Sequence, residues 1–214
     1  MRSLFSAVIL VAFTWAHAWA DDLSDIRARA EAGDPAAQFE LGQHYDNKGD
    51  KKKDLRRAID WYSKAAQDDF ARAQFQLGRM YVLGRGVAQD EALGIEWQIK
   101  AAEQGFAEAQ YAVGRRYLFG IALDRDYDKA LNLITAAANQ GITGAQNQLG
   151  SMYFQGQGVS KDLVQSYKWF SIAARADDPS AGRYLTVLES VMEESEVKAA
   201  KELTAQWQVE GTSE

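Results

Sequence analysis

Cysteine is absent from this 214-residue chain, which excludes disulfides, zinc–thiolate centres, a cysteine nucleophile and lipid anchoring through an N-terminal cysteine. Histidine is almost absent too, with two in the whole sequence. Positive charge is in deficit: 24 Lys and Arg face 30 Asp and Glu, a formal net charge of −6. A field of that sign repels phosphate backbones, so no nucleic-acid partner is expected. Long apolar runs are missing apart from Leu4 to Trp15, which is short for a bilayer span. With Met1-Arg2 before it and the small-x-small site Ala18-Trp19-Ala20 behind it, residues 1–20 read as a signal peptide. Cleavage after Ala20 would leave a mature chain starting Asp21-Asp22, free of any membrane span, in the periplasm or outside the cell. The full sequence is 47% hydrophobic and 25% charged, the composition of a folded chain rather than a disordered one. Only two prolines stand among its residues, so long helices meet few obstacles.

What the chain does contain is a repeat of 36 residues. Ala37-Gln38, Ala73-Gln74, Ala109-Gln110 and Ala145-Gln146 share one register. Four residues after each alanine comes Leu41-Gly42, Leu77-Gly78, Val113-Gly114 or Leu149-Gly150, and three residues after each glycine stands Tyr45, Tyr81, Tyr117 or Tyr153. An aspartate column (Asp54, Asp90, Asp126, Asp162) and an Ala-Ala column (Ala65-Ala66, Ala101-Ala102, Ala137-Ala138, Ala173-Ala174) complete the pattern. Apolar residues within one unit fall at helical spacing twice, so each unit reads as a helical hairpin. Gly84-Arg85-Gly86 and Gly156-Gln157-Gly158 mark the turn between its helices, the aspartates supply N-caps for the second helix, and Gly105 and Gly141 suit left-handed C-terminal caps. A glycine inside each first helix costs about 1 kcal/mol against alanine, so Gly42, Gly78, Gly114 and Gly150 imply close approach of the paired helix.

The stretch Ala73-Gln74-Phe75-Gln76-Leu77-Gly78-Arg79-Met80-Tyr81-Val82-Leu83-Gly84-Arg85-Gly86-Val87, continued by Trp97 and Ala101-Ala102, resembles the Sel1-like repeat (SLR), a relative of the tetratricopeptide repeat. The resemblance implies an all-α fold, a right-handed α/α solenoid of helical hairpins. Four units then occupy 34–178 as one continuous array. An N-terminal capping helix precedes them at 21–33, carrying Leu23, Ile26 and Ala30 on one face. A half repeat and a C-terminal capping helix follow over 179–214, the latter carrying Val197, Ala200, Leu203 and Trp207, with Glu193, Glu194 and Glu196 near its start. Two units depart from the pattern. The first replaces the glycine turn by Asn47-Lys48-Gly49-Asp50-Lys51-Lys52-Lys53; the third reads Gly120-Ile121-Ala122 and has Leu133 where the others have Trp61, Trp97 and Trp169.

No catalytic constellation emerges. A Ser-His-Asp relay in the mature chain would need His44, no Gly-x-Ser-x-Gly elbow exists, and Ser195-Glu196-Val197-Lys198 lacks companion motifs. The spacing offers no metal site, since Asp124-Arg125-Asp126-Tyr127-Asp128 lacks the glycine and terminal glutamate of a calcium loop. No cofactor is expected. The basic run Lys51-Lys52-Lys53 with Arg56-Arg57 reads as a solvated loop, with an anionic surface as the alternative. By analogy with tetratricopeptide arrays, the first helices line a concave face, which puts Phe39, Phe75, Tyr111 and Asn147 in one column and Gln43, Arg79, Arg115 and Ser151 in the next. Asp46, Val82, Leu118 and Phe154 form a third. The expected groove is Phe39, Phe75, Arg79, Val82, Tyr111, Arg115, Leu118 and Phe154, suited to an extended peptide with apolar anchors and a carboxylate. The same aromatics would equally serve packing between neighbouring helices. The resemblance implies a non-enzymatic adaptor with a protein or peptide partner in the cell envelope. A binder or hydrolase of cell-wall or β-lactam-like molecules, and a purely structural spacer, are the alternatives.

Overall fold

The computed structural model describes residues 23–48 and 52–208. The signal peptide expected at 1–20, the Asp21-Asp22 start, and Gly49, Asp50 and Lys51 of the first turn lie outside the described residues. Every regular element among the described residues is an α-helix. After α1 (23–31), the first helices of the four repeats are α2 (Pro35–Asn47), α4 (Ala71–Leu83), α6 (Ala107–Phe119) and α8 (Thr143–Gln155). Their partners are α3 (Lys52–Gln67), α5 (Glu91–Glu103), α7 (Tyr127–Asn139) and α9 (Leu163–Arg175), and α10 (Ala181–Val191) and α11 (Glu194–Gln206) close the chain. By packing, the chain divides into two compact units, Met1–Gly94 and Ile95–Glu214, with the boundary inside α5.

The repeated columns explain how one hairpin joins the next. At the end of a second helix the carbonyls have no intrahelical partners. The first alanine of the Ala-Ala pair accepts from the backbone five residues on, as in Phe70 N–H to Ala65 and Ile142 N–H to Ala137. The second alanine accepts from the side-chain amide of the conserved-register glutamine: Gln74 donates to Ala66 and Gln146 to Ala138, each at 3.2 Å. Gln38 donates in the same way to Ala30 at 3.3 Å, so α1 occupies the place of a second helix before the first repeat. The residue between them must turn left-handed, and Gly33, Asp69, Gly105, Gly141 and Asp177 all do so, with φ from 56° to 97°.

Within the first unit, α2 and α3 approach until the Tyr62 ring fills the space over Gly42. A Cβ on Gly42 would sit 2.6 Å from two ring carbons. The glycine column therefore exists because the facing second-helix side chain occupies the missing methyl's volume. Asp34 caps α2, accepting from Ala36 and Ala37 N–H at 2.9 and 3.4 Å, and Arg29 grips the same carboxylate at 2.7 Å. Asp90 caps α5 through Leu93 N–H at 3.0 Å. Asp54 departs from the expected aspartate caps: α3 begins at Lys52, so Asp54 lies inside its first turn and pairs with Arg57 at 3.3 Å.

The second unit repeats the packing with other side chains. Ile134 faces Gly114 and the Phe170 ring faces Gly150, 2.8 and 3.0 Å from where a Cβ would stand. Asp126 and Asp162 cap α7 and α9 through Lys129 and Gln165 N–H. The irregular turn of the third repeat keeps the regular geometry, with Gly120 at φ 67° and Ala122 forced to φ 58°, where Gly158 stands in the next repeat at φ 70°. At the chain's end Phe170 stacks on Tyr184 of α10 with centroids 4.4 Å apart. Glu193 and Glu196 form a capping box at the start of α11, and Trp207 meets Trp169 edge-on at 6.1 Å.

Two stability measurements follow. Gly42→Ala should lower the unfolding free energy by about 1–3 kcal/mol in urea denaturation, because overpacking against Tyr62 outweighs the gain of about 1 kcal/mol in helix propensity. Ala122→Gly should raise it by roughly 1 kcal/mol, since glycine takes the left-handed conformation without a Cβ clash.

Candidate partner-binding faces

The expected groove residues divide sharply in the structure. Phe39 is 7% exposed and packs on Tyr62 and Phe70 with ring centroids 5.6 and 5.4 Å away. Leu118 is 2% exposed and sits in a core with Ile134, Leu149 and Trp169. Both are interior residues rather than lining. Val82 is half-buried against the second helix of its own hairpin, where a Cβ on Gly94 would lie 2.7 Å from Val82 Cγ2. Phe154 is half-buried against Tyr184 at 6.3 Å, and Tyr111 packs its ring and hydroxyl against Gly144. Asn147 donates to Asp178 and Ser180 at 2.7 and 2.6 Å, tying α8 to the start of α10.

Arg79 and Arg115 are exposed. Each guanidinium lies over the half-buried aromatic four residues earlier: Arg79 over Phe75 at 5.9 Å, Arg115 over Tyr111 at 5.7 Å, both within cation–π range. The apolar surface one turn further on belongs to Leu83 and Phe119, 64% and 42% exposed, not to Val82 and Leu118. A helix advances about 100° per residue, so the residue four after the arginine lies about 40° from it, while the residue three after lies about 60° away on the other side, towards the partner helix. Sequence reasoning missed Leu83 and Phe119 for that reason. The signal was present in the i, i+4 spacing and in their place just before the capping Gly84 and Gly120. Each unit thus carries one exposed arginine set on an aromatic and followed by a bare apolar side chain.

In the first unit these residues border a pocket of about 230 Å³ lined by Gln43, Asp46, Asn47, Tyr62, Gln76, Arg79, Met80, Leu83 and Arg85. Arg85 is fastened to the Asp46 carboxylate at 2.8 Å. Arg79 donates to the Gln76 side chain at 3.2 Å and meets no carboxylate among the described residues. Burial, reinforced by Asp46, pushes the Tyr62 hydroxyl far above the ordinary tyrosine range, so it is a neutral donor at any physiological pH.

The remaining candidates resolve into structural roles. His44 lies edge-on to Tyr45 at 5.5 Å, and burial, then Lys48 and Arg27, lower its pKa. Asp126 spends its carboxylate on the α7 cap. Ser195 is exposed in the first turn of α11. Of the basic run, Arg57 pairs with Asp54 and lies over Tyr45 at 5.3 Å, while Lys52, Lys53 and Arg56 are exposed. Among the described residues no helix is long and apolar enough to cross a membrane.

Helical hairpins in one register, with a Gln-to-Ala bond at the start of α2, α4 and α8, define an all-α solenoid of the tetratricopeptide-like class. The chain belongs to the Sel1 repeat family, which it matches over residues 35–70, 71–106, 107–142 and 143–178, the spans that the helices mark out. It is similar to the protective antigen c5321 of uropathogenic Escherichia coli, which displays an SLR fold: 31% identity, TM-score 0.74, covering 86% of this chain and 40% of that one. It is also similar to a Sel1 repeat protein from Oxalobacter formigenes, with 33% identity, TM-score 0.73 and coverage of 78% and 48%. The chain thus spans less than half the length of either. No curated protein matches it. Sel1 repeats generally form non-enzymatic scaffolds that mediate protein–protein interaction.

The assignment of faces is testable by stability alone. Leu83→Asp and Phe119→Asp should change the unfolding free energy by no more than about 0.5 kcal/mol, whereas Leu118→Asp, which buries a charge in the core, should unfold the protein or cost more than about 3 kcal/mol. Thermal melts monitored by circular dichroism at 222 nm (the helical band,) read the difference.

Proposed function

We propose that the protein is an exported, non-enzymatic scaffold that holds a protein or peptide partner in the cell envelope on the exposed face of its first helices. The observation that carries this is the pairing of Arg79 with Leu83 and of Arg115 with Phe119, each arginine resting on an aromatic. Large exposed apolar side chains are few among the described residues, and two of them fall at one repeat position, each a helical turn from an exposed cation. An apolar anchor beside a cation suits an extended segment that offers aliphatic side chains and a carboxylate. Pre-formed helices would present these groups at little ordering cost. Export rests on the sequence pattern of residues 1–20 and is in keeping with the similar E. coli protein being a protective antigen.

In-cell crosslinking followed by affinity recovery tests the reading. Arg79→Glu with Arg115→Glu, and separately Leu83→Asp with Phe119→Asp, should each abolish recovery of the main crosslinked partner while helicity and melting temperature stay at wild-type values. Undiminished recovery from both double variants would show that the first-helix faces are not the binding surface. The released N-terminus, read by mass spectrometry of the protein from the envelope fraction, should be Asp21.

A further inference from the structure

Tyr62 carries a hydroxyl at the position that faces the glycine of its hairpin. The residue is 1% exposed, its ring is locked between Gly42 and Phe39, and its hydroxyl has no hydrogen-bond partner among the described residues. Its neighbours in the repeat, Ile134 and Phe170, fill the same place over their glycines without any hydroxyl. Packing therefore does not require the oxygen.

That oxygen belongs to a residue lining the pocket that also holds Arg79, Arg85 and Asp46. Asp46 neutralises Arg85 at 2.8 Å, which leaves the charge of Arg79 uncompensated, so the pocket carries one net positive charge. Amides of Gln43, Asn47 and Gln76 border it, with Met80 and Leu83 on the apolar side. A neutral phenol donor, one guanidinium without a carboxylate partner and a volume of about 230 Å³ match one carboxylate with a short aliphatic attachment.

We propose that this pocket binds a carboxylate, with the Tyr62 hydroxyl and the Arg79 guanidinium as its donors. The proposal rests on the partner-binding reading of the first-helix face and adds to it the chemistry recognised there. The carboxylate comes from an acidic side chain or from a chain end, and both sources satisfy the same donors.

The experiment is an NMR titration of the full-length mature protein with three probes. N-acetyl-glutamic acid α-amide offers a side-chain carboxylate, N-acetyl-leucine a chain-end carboxylate, and N-acetyl-glutamine amide neither. Saturable amide shifts clustered at Tyr62, Gln76, Arg79 and Met80 are expected with at least one of the acids and not with the neutral amide; the stronger acid identifies the source. Tyr62→Phe and Arg79→Gln should each weaken that binding about tenfold, the usual worth of a hydrogen bond to a charged group. Tyr62→Phe should leave the melting temperature unchanged or higher, because the hydroxyl makes no hydrogen bond within the fold; a purely structural tyrosine would lower it. Absence of saturable shifts at these residues with either acid, or equal binding by the two variants, overturns the proposal. Loss of the crosslinked partner in Leu83→Asp with Phe119→Asp, together with full recovery in Tyr62→Phe and Arg79→Gln, would sink the carboxylate pocket and leave the partner-binding face standing. Full recovery in all of them would remove the face itself.

Discussion

The missing Cβ of one glycine per hairpin is the constraint on which the rest depends. With Gly42, Gly114 and Gly150 bare, Tyr62, Ile134 and Phe170 lie directly on the first-helix backbone, and the two helices pack at a distance that alanine would not permit. That depth fixes the rotation of each first helix about its axis. Rotation in turn decides which side chains are sealed inside and which are left to solvent. The burial of Leu118 follows from its place one turn after Gly114, on the face of α6 that meets Ile134.

Polar groups at the joints complete the arrangement. Gln38, Gln74 and Gln146 lie in the interior at 5%, 1% and 2% exposure, where an unpaired amide would be costly. Each donates to a carbonyl that the end of the preceding helix leaves without a partner. Two deficits therefore cancel at each of these three joints. Alanine precedes the glutamine because the helices meet there with no room for more, and Ala37, Ala73, Ala109 and Ala145 are all fully buried.

The fold was legible because each of these contacts repeats with the period of the chain. Glycine, glutamine and the Ala-Ala pair are small-residue and amide choices that make sense only at a close helix contact, and they recur often enough to stand out in one sequence. The first turn was less legible: a lysine-rich stretch replaces the glycines, and α3 starts early enough to enclose Asp54. Of the candidate site, Arg79 and Arg115 were legible as cations in one register of the repeat. Phe39 and Leu118 were not, because an apolar residue beside a groove column and one beneath it look alike until the helix rotation is known. Tyr62 escaped notice altogether, since in sequence it is one aromatic among apolar core positions; its unshared hydroxyl is a property of the folded state.

The joint chemistry has a consequence for how such chains change length. Both halves of every Gln-to-Ala bond sit at fixed places in a 36-residue window, the acceptor near its end and the donor just inside the next. Duplicating or excising one whole window in the gene restores a matched donor and acceptor at the new seam, so the protein grows or shrinks in quanta without redesigning any contact. Similar proteins of which this chain covers only 40% and 48% are what such modular inheritance would leave behind.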